Sequence, residues 1–214
     1  MTIDAKICGL SSEDAVAAAV EGGAAYIGFV FYPRSPRSVT PERARALCDR
    51  IPVSVRRVGL FVDASDDEIA AVLDAAPIDL LQLHGHESAE RIAAVKRRFG
   101  RPIMKAIAIA GENDLPAAAA YEDAADMLLF DAKPPRREGA LPGGNGLTFD
   151  WRLLAGRRWQ RPWMLSGGLT ADLLPEAVRI SGATAVDVSS GVEYRAGEKD
   201  PGKIREFLAR ARQL

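Results

Sequence analysis

The stretch RVGLFVDASDDEIAAVLDAAPIDLLQL, residues 57–83, contains one complete structural repeat. It opens with the apolar run Arg57–Val62, which lacks polar alternation and predicts a strand buried on both faces of a parallel sheet. Ser65-Asp66-Asp67-Glu68 then forms a capping box, in which the serine hydroxyl and the glutamate carboxylate satisfy backbone donors at a helix start. A second apolar run, Leu80–Leu83, follows, so the predicted order is strand, helix, strand.

The same order recurs along the whole chain. The predicted strands are Ala5–Gly9, Tyr26–Phe31, Arg57–Val62, Leu80–Leu83, Ile103–Ile107, Met127–Phe130, Trp163–Leu165 and Ala185–Val188. N-cap residues begin further helices at Ser12, Thr40, Ser88 and Asp200, with proline after Thr40 and Asp200. Glycines that can adopt the left-handed conformation end helices at Gly22-Gly23, Gly100 and Gly182.

Eight such units in 214 residues average about 27 residues each, close to the minimum for a closed barrel. No linker or break in composition divides the chain. The sequence therefore predicts one domain over residues 1–214, a (β/α)8 TIM barrel. A doubly wound open sheet has the same alternation, but it usually needs fewer units, and its dinucleotide motif G-x-G-x-x-G is absent here.

Composition narrows the functional class. The formal charge is -1 and the basic residues are scattered, whereas a nucleic-acid binder would carry a basic excess or stripe. No apolar stretch has the length of a membrane span, and the N-terminus lacks the pattern of a signal peptide. Two cysteines are too few for a disulfide framework. We expect a cytoplasmic protein with reduced thiols that binds neither nucleic acid nor membrane.

Polar residues follow or end several of the predicted strands. In a barrel these ends converge on the face where active sites are built. The residues are Cys8, Gln82, His84, Asp131, Ser166, Asp187 and Ser189.

Two glycine-rich segments predict a phosphate site after strands seven and eight. The first contains Ser166-Gly167-Gly168 and precedes a helix predicted to begin near Thr170, and the second contains Ser189-Ser190-Gly191. Glycine lets backbone N–H groups approach an anion closely, and serine adds donors. This corner is where TIM barrels commonly bind phosphate.

Motifs along nearly the whole chain resemble those of the phosphoribosylanthranilate isomerase family. They are Lys6-Ile7-Cys8-Gly9, Phe31-Tyr32-Pro33-Arg34-Ser35-Pro36-Arg37, Gln82-Leu83-His84-Gly85, Gly143-Gly144-Asn145-Gly146, Leu165-Ser166-Gly167-Gly168-Leu169 and Val186-Asp187-Val188-Ser189-Ser190-Gly191-Val192-Glu193. They occur in the family's order, and the combination is specific although no single block is.

The resemblance implies an Amadori rearrangement in tryptophan biosynthesis, without metal or organic cofactor. Asp131 would be the general acid that protonates the ribose ring oxygen, and Cys8 the general base that removes the proton from the sugar C2. Free aspartate, with a pKa of about 3.9, is ionised at neutral pH, so the acid role requires an environment that favours the protonated form. A free thiol, with a pKa of about 8.5, has the converse problem. Lys6 can assist Cys8 if no bulge separates them.

The resemblance also assigns residues that bind the phosphosugar substrate. Arg37 would bind the anthranilate carboxylate through paired hydrogen bonds from its guanidinium group, with Arg34 as a competing candidate. The remaining assignments are substrate-lining and phosphate-binding residues, namely Gln82, His84, Asp187, Gly144, Ser166, Gly167, Gly168, Ser189, Ser190 and Gly191. A metal site is not expected, because His84, His86 and Glu87 are not a convincing ligand set.

The chain departs from the family pattern in one motif and leaves three questions open. Leu147 stands where the family often has lysine, which puts a phosphate or loop contact in doubt. The loop Lys133–Pro142 is a candidate lid. A histidine-pathway aminoaldose isomerase would use two aspartates instead of cysteine and aspartate, and a catalytically silent barrel that binds phosphosugars is the other alternative. The pattern does not separate a monomer from a homodimer.

Overall fold

Eight parallel strands close into a barrel in a computed structural model that describes residues 2–135 and 141–214. Each strand pairs with the next along the chain, and β8 pairs with β1 to complete the circle. The strands are β1 Asp4–Cys8, β2 Tyr26–Val30, β3 Arg56–Phe61, β4 Leu80–Leu83, β5 Ile103–Ile109, β6 Met127–Ala132, β7 Trp163–Leu165 and β8 Ala185–Val188. The predicted barrel and all eight strands are confirmed.

Seven helices surround the barrel in the described residues. They are α1 Glu13–Glu21, α2 Pro41–Cys48, α3 Asp66–Ala75, α4 Ala89–Phe99, α5 Pro116–Glu122, α6 Leu174–Ser181 and α7 Pro201–Ala211. Two short strands, β9 Glu193–Arg195 and β10 Glu198–Lys199, form a hairpin after β8. No helix in the described part of the chain is long and apolar enough to cross a membrane.

The helix starts and ends follow the capping chemistry. Ser65 and Glu68 form the predicted capping box at α3, and the side chain of Asp200 accepts backbone N–H groups at α7. Gly100 and Gly182 adopt the left-handed conformation that ends α4 and α6.

The predicted alternation of strand and helix is wrong after β6, and the helix after β7 begins later than predicted. Between β6 and β7 the described residues contain only a 3-10 turn, Trp151–Leu154. Prolines in this segment remove helical N–H donors, and its glycines disfavour helix. The helix predicted near Thr170 begins at Leu174, because the Thr170 hydroxyl accepts the Leu173 N–H and closes a turn first.

The barrel interior has a lower half that is apolar and an upper half in which polar side chains lie beside a small apolar cluster of Cys8, Val30 and Leu60. The lower half is a buried cluster of side chains from the strands, with members Val58, Leu80, Met104, Ala106, Met127, Leu129, Met164 and Ala185. Successive side chains of a strand point to opposite faces, so residues two positions further along also point inward. On β4, β6 and β8 these next residues are Gln82, Asp131 and Asp187. Strand alternation therefore delivers polar groups to one end of the barrel.

Candidate active site

One cavity lies at the carboxyl ends of the strands and encloses about 750 Å³, including its mouth. All the residues predicted for the site line it, namely Cys8, Arg37, Gln82, His84, Asp131, Gly144, Ser166, Gly167, Gly168, Asp187, Ser189, Ser190 and Gly191. Arg34, the competing candidate for the carboxylate site, is exposed on the surface. The fold thus brings together residues that are up to 183 positions apart in the chain.

Cys8 ends β1 with its thiol facing the barrel interior beside Lys6. Both side chains approach Gly28 on β2, where a Cβ would lie 3.0 Å from the Cys8 Sγ and 3.3 Å from the Lys6 Cε. The register between β1 and β2 is regular, so no bulge separates the two residues. Burial raises the pKa of the Cys8 thiol, and the nearby Lys6 ammonium only partly offsets this effect. The cysteine is therefore a thiol in the free protein at neutral pH.

Lys6 and Asp187 form a fully enclosed ion pair across β1 and β8. The Lys6 Nζ lies 2.8 Å from the Asp187 Oδ1, and the side chains are 0% and 6% exposed. Burial alone would lower the pKa of Lys6, but the Asp187 carboxylate and the Cys8 sulfur raise it above its ordinary value. The Ser166 hydroxyl donates to the Asp187 Oδ2 at 3.0 Å. The base of the cavity is thus held by a cation, an anion and a hydroxyl.

Asp131 lies on β6, with its carboxylate directed into the cavity. Its Oδ1 accepts the backbone N–H of Ala132 at 2.9 Å, and its Oδ2 lies 3.3 Å from the His84 Nε2. Lys133, two positions further along the chain, pairs with Asp114 at 2.7 Å. The carboxylate therefore faces the cavity with histidine as its side-chain neighbour.

Arg37 is held by a carboxylate that the sequence did not assign. Its Nε and Nη2 donate to the Glu193 Oε1 and Oε2 at 2.7 and 2.9 Å, and Nη2 also donates to the Gly144 carbonyl at 3.2 Å. Burial opposes ionisation of Glu193, but Arg37 and Lys199 hold its pKa below the ordinary value. Glu193 ends the motif that begins at Val186, and only the fold brings it to Arg37, which is 156 residues away in the chain.

Lys199 is the second unforeseen cation. Its Nζ donates to the Glu193 Oε1 at 2.7 Å and to the Ser189 carbonyl at 2.8 Å. Burial lowers the pKa of Lys199, and Glu193 counteracts part of this effect. The Ser189 hydroxyl donates in turn to the Cys8 carbonyl at 3.1 Å. Arg37, Glu193 and Lys199 form a buried group with a formal charge of +1 beside the predicted phosphate loop.

The two glycine-rich loops after β7 and β8 lie against each other. Gly167 and Gly168 have φ values of +92° and +61°, which residues with a Cβ rarely adopt. A Cβ on Gly191 would collide with the carbonyl of Leu169, so the second loop reaches the first only because this position is glycine. Backbone N–H groups from both loops can therefore surround one anion, although phosphate binding here stays a prediction.

Part of the rim falls outside the described residues. The predicted lid, Lys133–Pro142, includes residues 136–140, which the structure does not describe. The following segment, residues 141–147, lines the cavity. Within residues 2–135 and 141–214, no group of three or more His, Cys, Asp or Glu side chains is arranged to hold a metal ion.

Comparison with known proteins gives the family. Residues 5–210 match the model of N-(5'-phosphoribosyl)anthranilate isomerase. The chain belongs to this isomerase family. An N-(5'-phosphoribosyl)anthranilate isomerase of Rhodospirillum centenum is 60% identical over 214 residues, which are 100% of both chains. One from Cereibacter sphaeroides is 56% identical over 207 residues, covering 97% of each.

Solved structures of phosphoribosylanthranilate isomerases have the same fold. The Thermotoga maritima enzyme has a TM-score of 0.88 and 36% identity, over 99% of this chain and 100% of that one. Another member, in complex with reduced 1-(o-carboxyphenylamino)-1-deoxyribulose 5-phosphate, has a TM-score of 0.84 and 33% identity, with the same coverage. The family that the motifs resemble and the barrel predicted from the strand–helix alternation are therefore confirmed.

Proposed function

We propose that this chain converts N-(5-phosphoribosyl)anthranilate to 1-(2-carboxyphenylamino)-1-deoxyribulose 5-phosphate, with Asp131 as general acid and Cys8 as general base. One observation carries the proposal. A thiol on β1 and a carboxylate on β6 face the same cavity, whose rim offers a guanidinium and two glycine loops. This arrangement suits a substrate with a reactive sugar between a carboxylate and a phosphate.

The chemistry needs one proton donor and one proton acceptor at the sugar. Asp131 donates to the ring oxygen, the ring C–O bond breaks toward that oxygen, and the nitrogen lone pair forms a protonated Schiff base. Cys8 as thiolate then takes the C2 proton, and the electron pair of that bond neutralises the Schiff base as an enamine, which tautomerises to the ketone. The Lys6 ammonium only partly offsets the effect of burial on the thiol, and the protonated Schiff base is a second nearby cation that favours the thiolate.

The two anionic ends of the substrate fit the two polar ends of the cavity. Arg37 is the cation for the anthranilate carboxylate, and Glu193 fixes its orientation through two hydrogen bonds. The glycine loops supply N–H groups for the phosphate. Lys199 donates to Ser189 and adds positive charge beside the second of these loops. Holding both ends fixes the sugar between Cys8 and Asp131.

Turnover of freshly generated phosphoribosylanthranilate, followed through the anthranilate chromophore, tests the proposal with Cys8→Ser and Asp131→Asn. We expect each substitution to lower kcat about 10²- to 10⁴-fold while the fold is retained, because each removes one acid or base. Cys48→Ser is the matched control for the thiol, since Cys48 is buried in the α2 helix away from the cavity. Folded wild-type protein without turnover would contradict the proposal, and testing it on the histidine-pathway substrate would then separate another isomerase from a silent barrel.

A further inference from the structure

Three side chains form a row of polar contacts that ends at the proposed acid: a hydrogen bond joins the first two, and the last two lie at ion-pair distance. The Gln82 Nε2 lies 3.0 Å from the His84 Nδ1, and the His84 Nε2 lies 3.3 Å from the Asp131 Oδ2. Gln82 is fully buried, and the His84 side chain is 11% exposed. Gly143 lies over the contact, since a Cβ there would be 2.8 Å from the Asp131 Oδ2 and 2.9 Å from the His84 Nε2. The row is thus largely shielded from water.

The amide of Gln82 is held at one end only. Its Oε1 is buried and has no hydrogen-bond partner among the described residues. A glutamine amide can turn by half a rotation within the same volume, which exchanges its oxygen and nitrogen. Because His84 is the hydrogen-bond partner of this amide, the orientation of the amide and the position of the proton on the His84 ring depend on each other.

Each orientation corresponds to a different state of Asp131. When the amide N–H donates to Nδ1, neutral His84 carries its proton on Nε2, and Asp131 must accept it as a carboxylate. When the amide turns and Oε1 accepts an Nδ1–H, the Nε2 is free to accept the proton of a neutral Asp131 or to share it as an imidazolium. The second arrangement holds one more proton in the histidine–aspartate pair.

We propose that Gln82 and His84 are positioning residues that keep the acid proton at Asp131. The proposal deepens the acid–base mechanism and rests on it. In the resting enzyme, with the acid proton in place, the Gln82 Oε1 accepts the His84 Nδ1–H. One proton is then shared between the His84 Nε2 and the Asp131 Oδ2. Transfer to the ring oxygen breaks the bond to that proton and leaves Asp131 as a carboxylate. A proton from water then returns through the imidazole.

Nitrogen NMR of the resting enzyme tests the tautomer without any turnover. The chain has two histidines, and His86, with its side chain 97% exposed, is the internal control. We expect His84 labelled with ¹⁵N to carry a proton on Nδ1 at neutral pH, and Asp131→Asn to shift its Nε2 signal while leaving His86 unchanged. His86→Asn assigns the signals. An unprotonated Nδ1 on a neutral His84 in the resting enzyme would overturn the proposal.

The pH dependence of kcat distinguishes a role of His84 in holding the acid proton from a role in packing alone. Among the described residues, the other charged and titratable groups that line the cavity are Cys8, Tyr32, Arg37 and Asp187, and they are the same in wild type and His84→Asn. Their titration therefore largely cancels in the ratio of the two kcat values. We expect this ratio to grow several-fold between about pH 6 and pH 8, since only wild type retains the acid proton through histidine. His86→Asn should match wild type throughout. A loss of kcat in His84→Asn that is equal at all pH values would overturn the proposal. Inactive wild-type enzyme whose His84 has the expected tautomer would contradict only the proposed isomerase activity.

Discussion

Leu80 and Gln82 lie two positions apart on β4, yet they belong to the two different halves of the barrel interior. The same division separates Leu129 from Asp131 on β6 and Ala185 from Asp187 on β8. In each of these pairs the side chain below the division is apolar and the side chain above it is polar or charged. All are buried, so burial alone does not distinguish a residue that stabilises the fold from one that acts on substrate. Position along the strand does, because only the carboxyl ends open to the cavity.

The Lys6–Asp187 pair should be the polar contact in the upper half on which stability depends most. Lys6→Met leaves the Asp187 carboxylate buried without its cation. We expect the free energy of unfolding to fall by about 3–5 kcal/mol, measured by urea denaturation. Adding Asp187→Asn removes the uncompensated charge and should recover part of the loss. A loss below about 1 kcal/mol for Lys6→Met would show that water or Cys8 compensates the anion.

Leu129 and Asp131 offer a matched pair on one strand. Leu129→Ala removes a fully buried side chain from the lower cluster, and we expect a loss of about 2–5 kcal/mol in the free energy of unfolding. Its kcat per folded molecule should stay near that of wild type. Asp131→Asn should show the opposite pattern, with activity lost and stability nearly kept. If Leu129→Ala reduced kcat as strongly as Asp131→Asn does, the two halves of the interior would not be functionally separate.

Thiol titration sharpens the comparison at Cys8. Because burial raises the pKa of Cys8, the thiolate fraction is small at neutral pH and increases as the pH rises. The rate of alkylation by iodoacetamide in Cys48→Ser should therefore reach its midpoint above the ordinary thiol value of about 8.5. In Cys8→Ser the remaining Cys48, whose pKa burial raises to about 11, should react more slowly. A midpoint below the ordinary value for Cys8 would mean that Lys6 and Lys199 outweigh burial.

The sequence predicts what depends on neighbouring residues and misses what depends on barrel closure. Strands such as Leu80–Leu83 and caps such as Ser65 were predicted because apolar runs and capping chemistry are local signals. The ion pairs of Glu193 with Arg37 and Lys199 were not, because they follow from loop geometry and from contacts across 156 residues. The lack of a helix between β6 and β7 in the described residues was also unforeseen, although prolines and glycines mark that segment. The roles of Cys8 and Asp131 came from resemblance, and their common cavity is what the fold adds.

Two serine hydroxyls at the same end of the barrel give the smallest predicted effect. Ser65 caps α3 outside the cavity, whereas Ser166 donates to Asp187 inside it. Ser65→Ala should lower the free energy of unfolding by about 1 kcal/mol and leave kcat/KM unchanged, since only a helix start is affected. Ser166→Ala should cost a similar amount, as a net hydrogen bond is worth about 1 kcal/mol, but should also lower kcat/KM. Equal kinetics for both variants would contradict a role of the Ser166–Asp187 contact in shaping the cavity and confine that contact to folding.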